Sequence, residues 1–164
     1  MSESKSVAFF CSRSCPGDII INAQDWANAR EPEGPTIVSG FHTPVERDVL
    51  RILVRGRVPV LLVLGRSLTG WRAPVELRKA IDDGSLQVFS PFPAMESRTT
   101  VKTAESRNRH ILTLCKAALF AHASPGGKTE MLATEAVAQG VRLLTLPSKS
   151  NSNLLQLGAV EISV

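Results

Sequence analysis

Between Arg107 and Pro147 the chain runs, without a gap, through a pattern that few folds can accommodate. A basic, helix-compatible run (Arg107–Lys116) leads into a short apolar run (Ala117–Ala123). The turn Ser124-Pro125-Gly126-Gly127-Lys128-Thr129 follows, then a second helical run ending at Gly140 and a second apolar run, Val141–Leu146. Helix, strand, glycine-rich turn, helix, strand is the grammar of a parallel sheet, whose strands need crossovers and whose ligands sit at the strands' carboxyl ends. The turn is therefore the first place to look for function. Glycines let backbone N–H groups approach a ligand, and a helix N-terminus adds unpaired donors and a partial positive charge. Lys128 adds a full charge and Thr129 a hydroxyl, so Ser124, Gly126, Gly127, Lys128 and Thr129 suit a phosphate or another anion. The same residues would also serve as no more than a tight strand-to-helix turn with Thr129 as N-cap. The turn is not a Walker A loop, because the position five before Gly127 is His122 rather than glycine.

The rest of the chain repeats the alternation. Strands are expected at Val7–Cys11, Thr36–Val38, Pro59–Leu64, Leu86–Phe89 and, at the end, Val160–Val164. Helices are expected over Ile19–Arg30, from Thr43-Pro44 through Arg55, over Pro74–Asp82, Val101–Lys116 and Leu154–Leu157. Thr43 caps and Pro44 takes the first helical position, with Glu46 next in the first turn. Ala94–Thr100 and Ser148–Asn153 read as loops. The expected fold is α/β, a Rossmann-like doubly wound and mostly parallel sheet with helices on both faces. A length of 164 residues fits one domain, residues 1–164. Several strands end in small or basic residues (Ser12-Arg13, Ser39-Gly40, Gly65-Arg66 and Ser124–Thr129), and such a sheet would gather them on one edge as an anion-friendly crevice.

Composition narrows the partners. A net charge of +4 favours an anionic ligand, and Arg98, Lys102, Arg107, Arg109, Lys116 and Lys128 fall in one segment with few acids. No apolar run approaches the roughly 20 residues that span a bilayer, so no membrane partner is expected. The start, MSESKSVAFFCSRS, lacks a secretory pattern, and a cytoplasmic chain is expected. The three cysteines, Cys11, Cys15 and Cys115, do not suggest a disulfide framework, and Cys11 with Cys15 lacks the further ligands of a zinc site. No metal, cofactor, Ser-His-Asp order or paired-carboxylate motif is indicated, so no catalytic residue is assigned. His42 and His122 lack carboxylate or cysteine neighbours at useful spacing; His122 stands near the crevice edge. Trp71 and Phe41 could stack on a base but fit packing better. Arg107 and Arg109, two apart, point to different faces of a helix, so that one can meet ligand while the other packs or pairs with Glu105.

These residues resemble the DNA-processing protein A (DprA/Smf) family. The run RNRHILTLCKA is similar to the family's R-N-R-I-I-x-x-L-x-x-A, Gly127-Lys128-Thr129 falls on its S-G-S turn, Gln139-Gly140 on its Q-G and Leu146-Pro147-Ser148 on its V-P-G. Leu154-Leu155 with Gly158-Ala159 resembles its L-I-x-x-G-A, Cys11-Ser12-Arg13 its first-strand G-S-R and Val38-Ser39-Gly40 its second-strand V-S-G. Leu64-Gly65 and Ser90-Pro91-Phe92-Pro93 fit its L-G and S-E-F-P. The resemblance implies a Rossmann-like module that binds single-stranded DNA in a basic pocket, helps load a recombinase and forms a homodimer. It implies Ser12, Arg13, Ser39, Gly40, Arg107, Asn108, Arg109, Gly127, Lys128 and Thr129 as site residues. Where the family continues x-A-x-G-I-D after the second strand, this chain has Phe41-His42-Thr43-Pro44-Val45-Glu46, so that glycine-rich turn is lost. The length leaves no room for an added helical domain or winged helix, and a lone Rossmann module is expected. Pro125–Glu130 also looks like the P-G-G-x-G-T-x-x-E motif of the LOG-type nucleoside-monophosphate phosphoribohydrolases, the alternative being a small-nucleotide sensor or such an enzyme. Here Leu132 stands where that motif has its glutamate, and Glu130 lies about 200° away round the helix.

Overall fold

The structure, a computed structural model, describes residues 6–164, so residues 1–5 of the expected single domain lie outside the described residues. Seven strands and six helices alternate in order. They are β1 (Ser6–Cys11), α1 (Gly17–Asn28), β2 (Thr36–Ser39), α2 (Pro44–Arg55), β3 (Val60–Val63), α3 (Val75–Asp82), β4 (Leu86–Phe89), α4 (Val101–Leu114), β5 (Ala117–His122), α5 (Lys128–Ala138), β6 (Arg142–Thr145), α6 (Ser152–Gln156) and β7 (Val160–Glu161). All seven strands join one sheet in the order β4-β3-β2-β1-β5-β6-β7. Every pairing is parallel, so the expected mostly parallel sheet is wholly so.

Period-two alternation builds the two cores. Phe9 and Cys11 of β1 face a cluster covered by α1, α2 and α3, whereas Ala8 and Phe10 face the cluster under α4, α5 and α6. On the first face Phe9 stacks on Trp26 of α1 at 5.2 Å, and the Arg30 guanidinium lies over that indole, 5.1 Å from a ring centroid. On the second, Phe10 stacks on Phe120 of β5 at 4.9 Å. Each such fully buried side chain contributes about 1.5–3 kcal/mol of burial energy.

Element boundaries differ from the sequence reading for local reasons. α4 stops at Leu114, not Lys116, because Cys115 is already extended (φ −130°, ψ 146°) and leads into β5. α1 begins earlier, at Gly17, and ends at Asn28. The apolar runs Pro59–Leu64 and Val141–Leu146 form strand only over Val60–Val63 and Arg142–Thr145. β7 is confined to Val160–Glu161, since it is an edge strand paired on one side over two residues. The loop read over Ser148–Asn153 contains a 3₁₀ turn, Lys149–Asn151, and the first residues of α6. Gly127, rather than Thr129, is the N-cap of α5.

Candidate functional site

Strand order reverses between β1 and β5. From β1 the chain winds out through β2, β3 and β4; from β5 it winds the opposite way through β6 and β7. The loops leaving the two central strands diverge there and open a crevice at the sheet's carboxyl edge. Two predicted site residues hold those loops together. Ser12 Oγ accepts from the Ser124 N–H at 2.9 Å, and Ser124 Oγ donates to the Ser14 carbonyl at 3.3 Å. Ser12 is buried, so its role is to staple one loop to the other.

The start of α5 is the open part of this edge. Gly126 takes φ 76°, a left-handed turn that favours glycine. Its N–H donates to Glu130 Oε1 at 2.9 Å, and the Gly127 N–H donates to the Ser124 carbonyl at 3.0 Å. No side chain caps the helix at Gly127. The N–H groups of the first turn, at Lys128 and Thr129, are thereby left to solvent or to a ligand. By contrast α2 and α4 begin with complete capping boxes, Thr43 with Glu46 and Thr100 with Thr103. Glu130 is held by the turn: its Oε2 accepts from Asn153 Nδ2 at 2.7 Å, and these two bonds keep its carboxyl below the usual range.

A groove of about 670 Å³ adjoins this helix start, between α5 and α4, with Arg13 and His42 also lining it. Val101, Ala104, Met131 and Leu132 supply apolar surface, and Asn108 and Thr129 polar surface. Its charges come as three cations, Arg13, Arg109 and Lys128, against two carboxylates, Glu105 and Glu135. Lys128 Nζ stands 2.8 Å from Glu105 Oε2. Arg109 grips Glu135 with both Nε and Nη2, at 2.8 and 3.2 Å. The hydrogen bond from Lys128, then its charge, hold Glu105 below the usual carboxylate range, and Glu135 raises Arg109 in the same way. Arg13 is exposed and forms no ion pair among the described residues. Burial first, then the positive charges of Arg107, Arg13 and Arg47, lower His42, which therefore stays a neutral donor and acceptor at neutral pH.

Arg107, Ser39 and Gly40 belong to a different arrangement. Arg107 is 3% exposed. Its Nη1 donates to the Val63 carbonyl at the end of β3 (3.3 Å) and its Nε to Asn108 Oδ1 (2.8 Å). A Cβ added at Gly40 would overlap the guanidinium, so glycine there is what lets the cation lie against the β2 end. Ser39 is fully buried and its Oγ accepts from the Phe41 N–H at 3.0 Å. Of the predicted residues, then, Arg13, Asn108, Arg109, Lys128 and Thr129 line the groove; Gly126, Gly127 and Ser124 shape the turn beside it. Ser12, Ser39, Gly40 and Arg107 sit behind it as framework.

Glu46 is the residue that sequence reasoning undervalued. It is fully buried, its Oε2 accepting from the Cys11 N–H of β1 at 3.0 Å and its Oε1 from the N–H groups of His42 and Thr43 at 2.9 and 3.2 Å. Burial pushes its carboxyl up, against the three backbone donors and the nearby Arg107. Phe41, a stacking candidate, is buried in the core at φ 48°, and Trp71 is packed against the same core. His122 is buried, its Nδ1 3.0 Å from Asn151 Oδ1, and is not part of the groove lining. The neighbouring Cys15 thiol, then burial, push the Cys11 thiol up, and Cys11 in turn lowers Cys15 against the opposing effects of burial and Asp18. Among the described residues no group of three or more His, Cys, Asp or Glu could hold a metal ion, and no helix is long and apolar enough to cross a membrane.

No family model and no curated protein matches the chain. Solved structures do, and they show the fold to be DprA-like. DNA processing protein A from Streptococcus pneumoniae superposes with a TM-score of 0.78 at 20% identity, over 98% of this chain and 59% of that one. The chain thus spans little more than half the length of that structure. DNA processing protein A from Helicobacter pylori, solved for its unique single-stranded DNA binding mode, gives 0.70 at 20% identity over 96% and 74% of the two chains. The molybdenum cofactor binding protein from Rippkaea orientalis gives 0.66 at 12% identity over 98% and 90%.

Proposed function

We propose that this chain binds single-stranded nucleic acid, or the phosphate of a nucleotide, at the groove between α4 and α5, without carrying out chemistry on it. One observation carries the reading. Among the described residues α5 is the helix that starts at the switch point on the groove side, and it begins uncapped behind a glycine turn, with Lys128 and Thr129 in its first turn and both on the groove wall. An uncapped helix start beside cations supports this reading, because its open N–H groups and partial positive charge suit a phosphate. The likeness to DNA processing protein A, one structure of which was solved for its single-stranded DNA binding mode, supports the polynucleotide form. In that form the chain is a cytoplasmic recombination mediator that pairs with a second copy and passes the strand to a recombinase.

A mononucleotide is the second reading, favoured by the groove itself: its apolar stretch of Ala104, Met131 and Leu132 suits one base, and its charges nearly cancel. The phosphoribohydrolase form is the weaker version, because Glu130 is committed to Gly126 and Asn153.

Fluorescence anisotropy of labelled oligothymidine across a salt series separates the two. A polynucleotide ligand gives a log–log salt slope of about −0.7 per phosphate contact, and Lys128→Ala weakens binding and flattens the slope by roughly that amount. Absence of oligothymidine binding at low salt, with a nucleoside monophosphate detected by calorimetry, moves the assignment to the second reading.

A further inference from the structure

The two ion pairs of the groove run in opposite senses between the same helices. Lys128 reaches from α5 to Glu105 on α4, and Arg109 reaches from α4 to Glu135 on α5. All four residues line the groove, so both pairs strap it across its width. They are also coupled along α4, where Glu105 and Arg109 are four residues apart and so neighbours on one face. Two of the three groove cations are each already held by an anion the protein supplies.

We infer that Glu105 and Glu135 are built-in competitors for the ligand, occupying Lys128 and Arg109 until phosphate groups displace them. The inference rests on the reading of this groove as a nucleic-acid or nucleotide site, and it names the residues that set its affinity. Binding is an exchange of one anion for another. It leaves no cation newly unpaired when ligand departs, and it keeps the free groove from holding stray small anions. Such pairs are exposed and individually weak, which is what an exchangeable strap requires. Lys128 holds Glu105 below the usual carboxylate range, so that pair is opened by ligand and not by mild acid.

The experiment is a double-mutant cycle read by anisotropy of labelled oligothymidine at low salt. Glu105→Gln and Glu135→Gln each tighten binding by about two- to fivefold, and together by about tenfold, the range that weak exposed pairs allow. Glu76→Gln, an exposed carboxylate of α3 on the other face, reports the effect of one added net charge and gives less than about twofold. The deciding comparison is the Lys128→Ala background, in which Glu105→Gln loses most of its effect because the cation it pairs with is gone, keeping only the smaller part that acts through Arg109. Equal tightening by Glu105→Gln with and without Lys128, or tightening no greater than that of Glu76→Gln, overturns the inference while leaving the site reading intact. If neither wild type nor any variant binds oligothymidine or a nucleoside monophosphate, the site reading falls and the inference with it. Far-UV circular dichroism of each variant, all of them surface exchanges, checks that the fold is kept.

Discussion

The turns after β2 and after β5 start from similar material and end in opposite states. Both join a central parallel strand to a helix, both carry glycine at or near the strand end, and both have an arginine or lysine close by. After β2 the chain supplies its own anion: Glu46 takes the N–H groups of Cys11, His42 and Thr43, with Arg107 behind Gly40 completing a closed, buried network. After β5 nothing caps the helix, and the carboxylate that faces Lys128 comes from a neighbouring helix at the surface, where it can be exchanged. Gly and Arg at a strand end therefore mark an anion site only where the protein does not fill it itself.

The comparison breaks first on stability. Arg107→Ala removes the bonds to the Val63 carbonyl and Asn108 Oδ1, empties the space of a buried side chain and takes away a charge that lowers Glu46, and is expected to cost about 2–5 kcal/mol in urea unfolding. Lys128→Ala, on the open turn, leaves the unfolding midpoint where it was. A small loss for Arg107→Ala would mean that the β2 turn is as open as the β5 turn.

Glu46→Gln is the next largest. Three N–H donors converge on two carboxylate oxygens, and glutamine offers only one oxygen, so one buried donor is stranded at a cost of about 1–3 kcal/mol. The variant also sharpens the comparison through pH. Burial raises Glu46 above 4.5 in the folded state, so its ionised form opposes folding at pH values above the folded pKa. That cost is relieved as pH falls through the folded pKa toward the unfolded value, because the folded state then binds the proton more tightly. Wild type minus Glu46→Gln stability should accordingly rise in that acid window, the reverse of a salt-bridged carboxylate; a fall would show that the three donors outweigh burial.

The fold was legible because its signals are local. The apolar run Val60–Val63, the Thr43-Pro44 start of α2 and the helix–strand–turn–helix run from Arg107 to Ala138 are each one continuous stretch of chain. Part of the site was legible on the same terms. The opposite facing of Arg107 and Arg109 follows from their spacing, but which of them turns inward does not; the structure puts Arg107 on the buried stripe of Thr103 and Ile111, each four residues away. What could not be read was the partner of each cation. Glu135 is 26 residues from Arg109 and Glu105 is 23 from Lys128, and only the packing of α4 against α5 brings them together. Glu46 was visible as a helix-start residue, but its reach to Cys11, 35 residues back on β1, depends on the sheet.

The smallest effects to look for are at single amides, and they test the central claim most directly. Titrating ¹⁵N-labelled protein with oligothymidine should shift the amide resonances of Lys128 and Thr129, whose N–H groups are open, and leave those of Cys11 and Thr43, held by Glu46, in place. Shifts at Cys11 and Thr43 with Lys128 and Thr129 unmoved at saturation would contradict the account, placing the ligand at the turn the protein is argued to have filled itself.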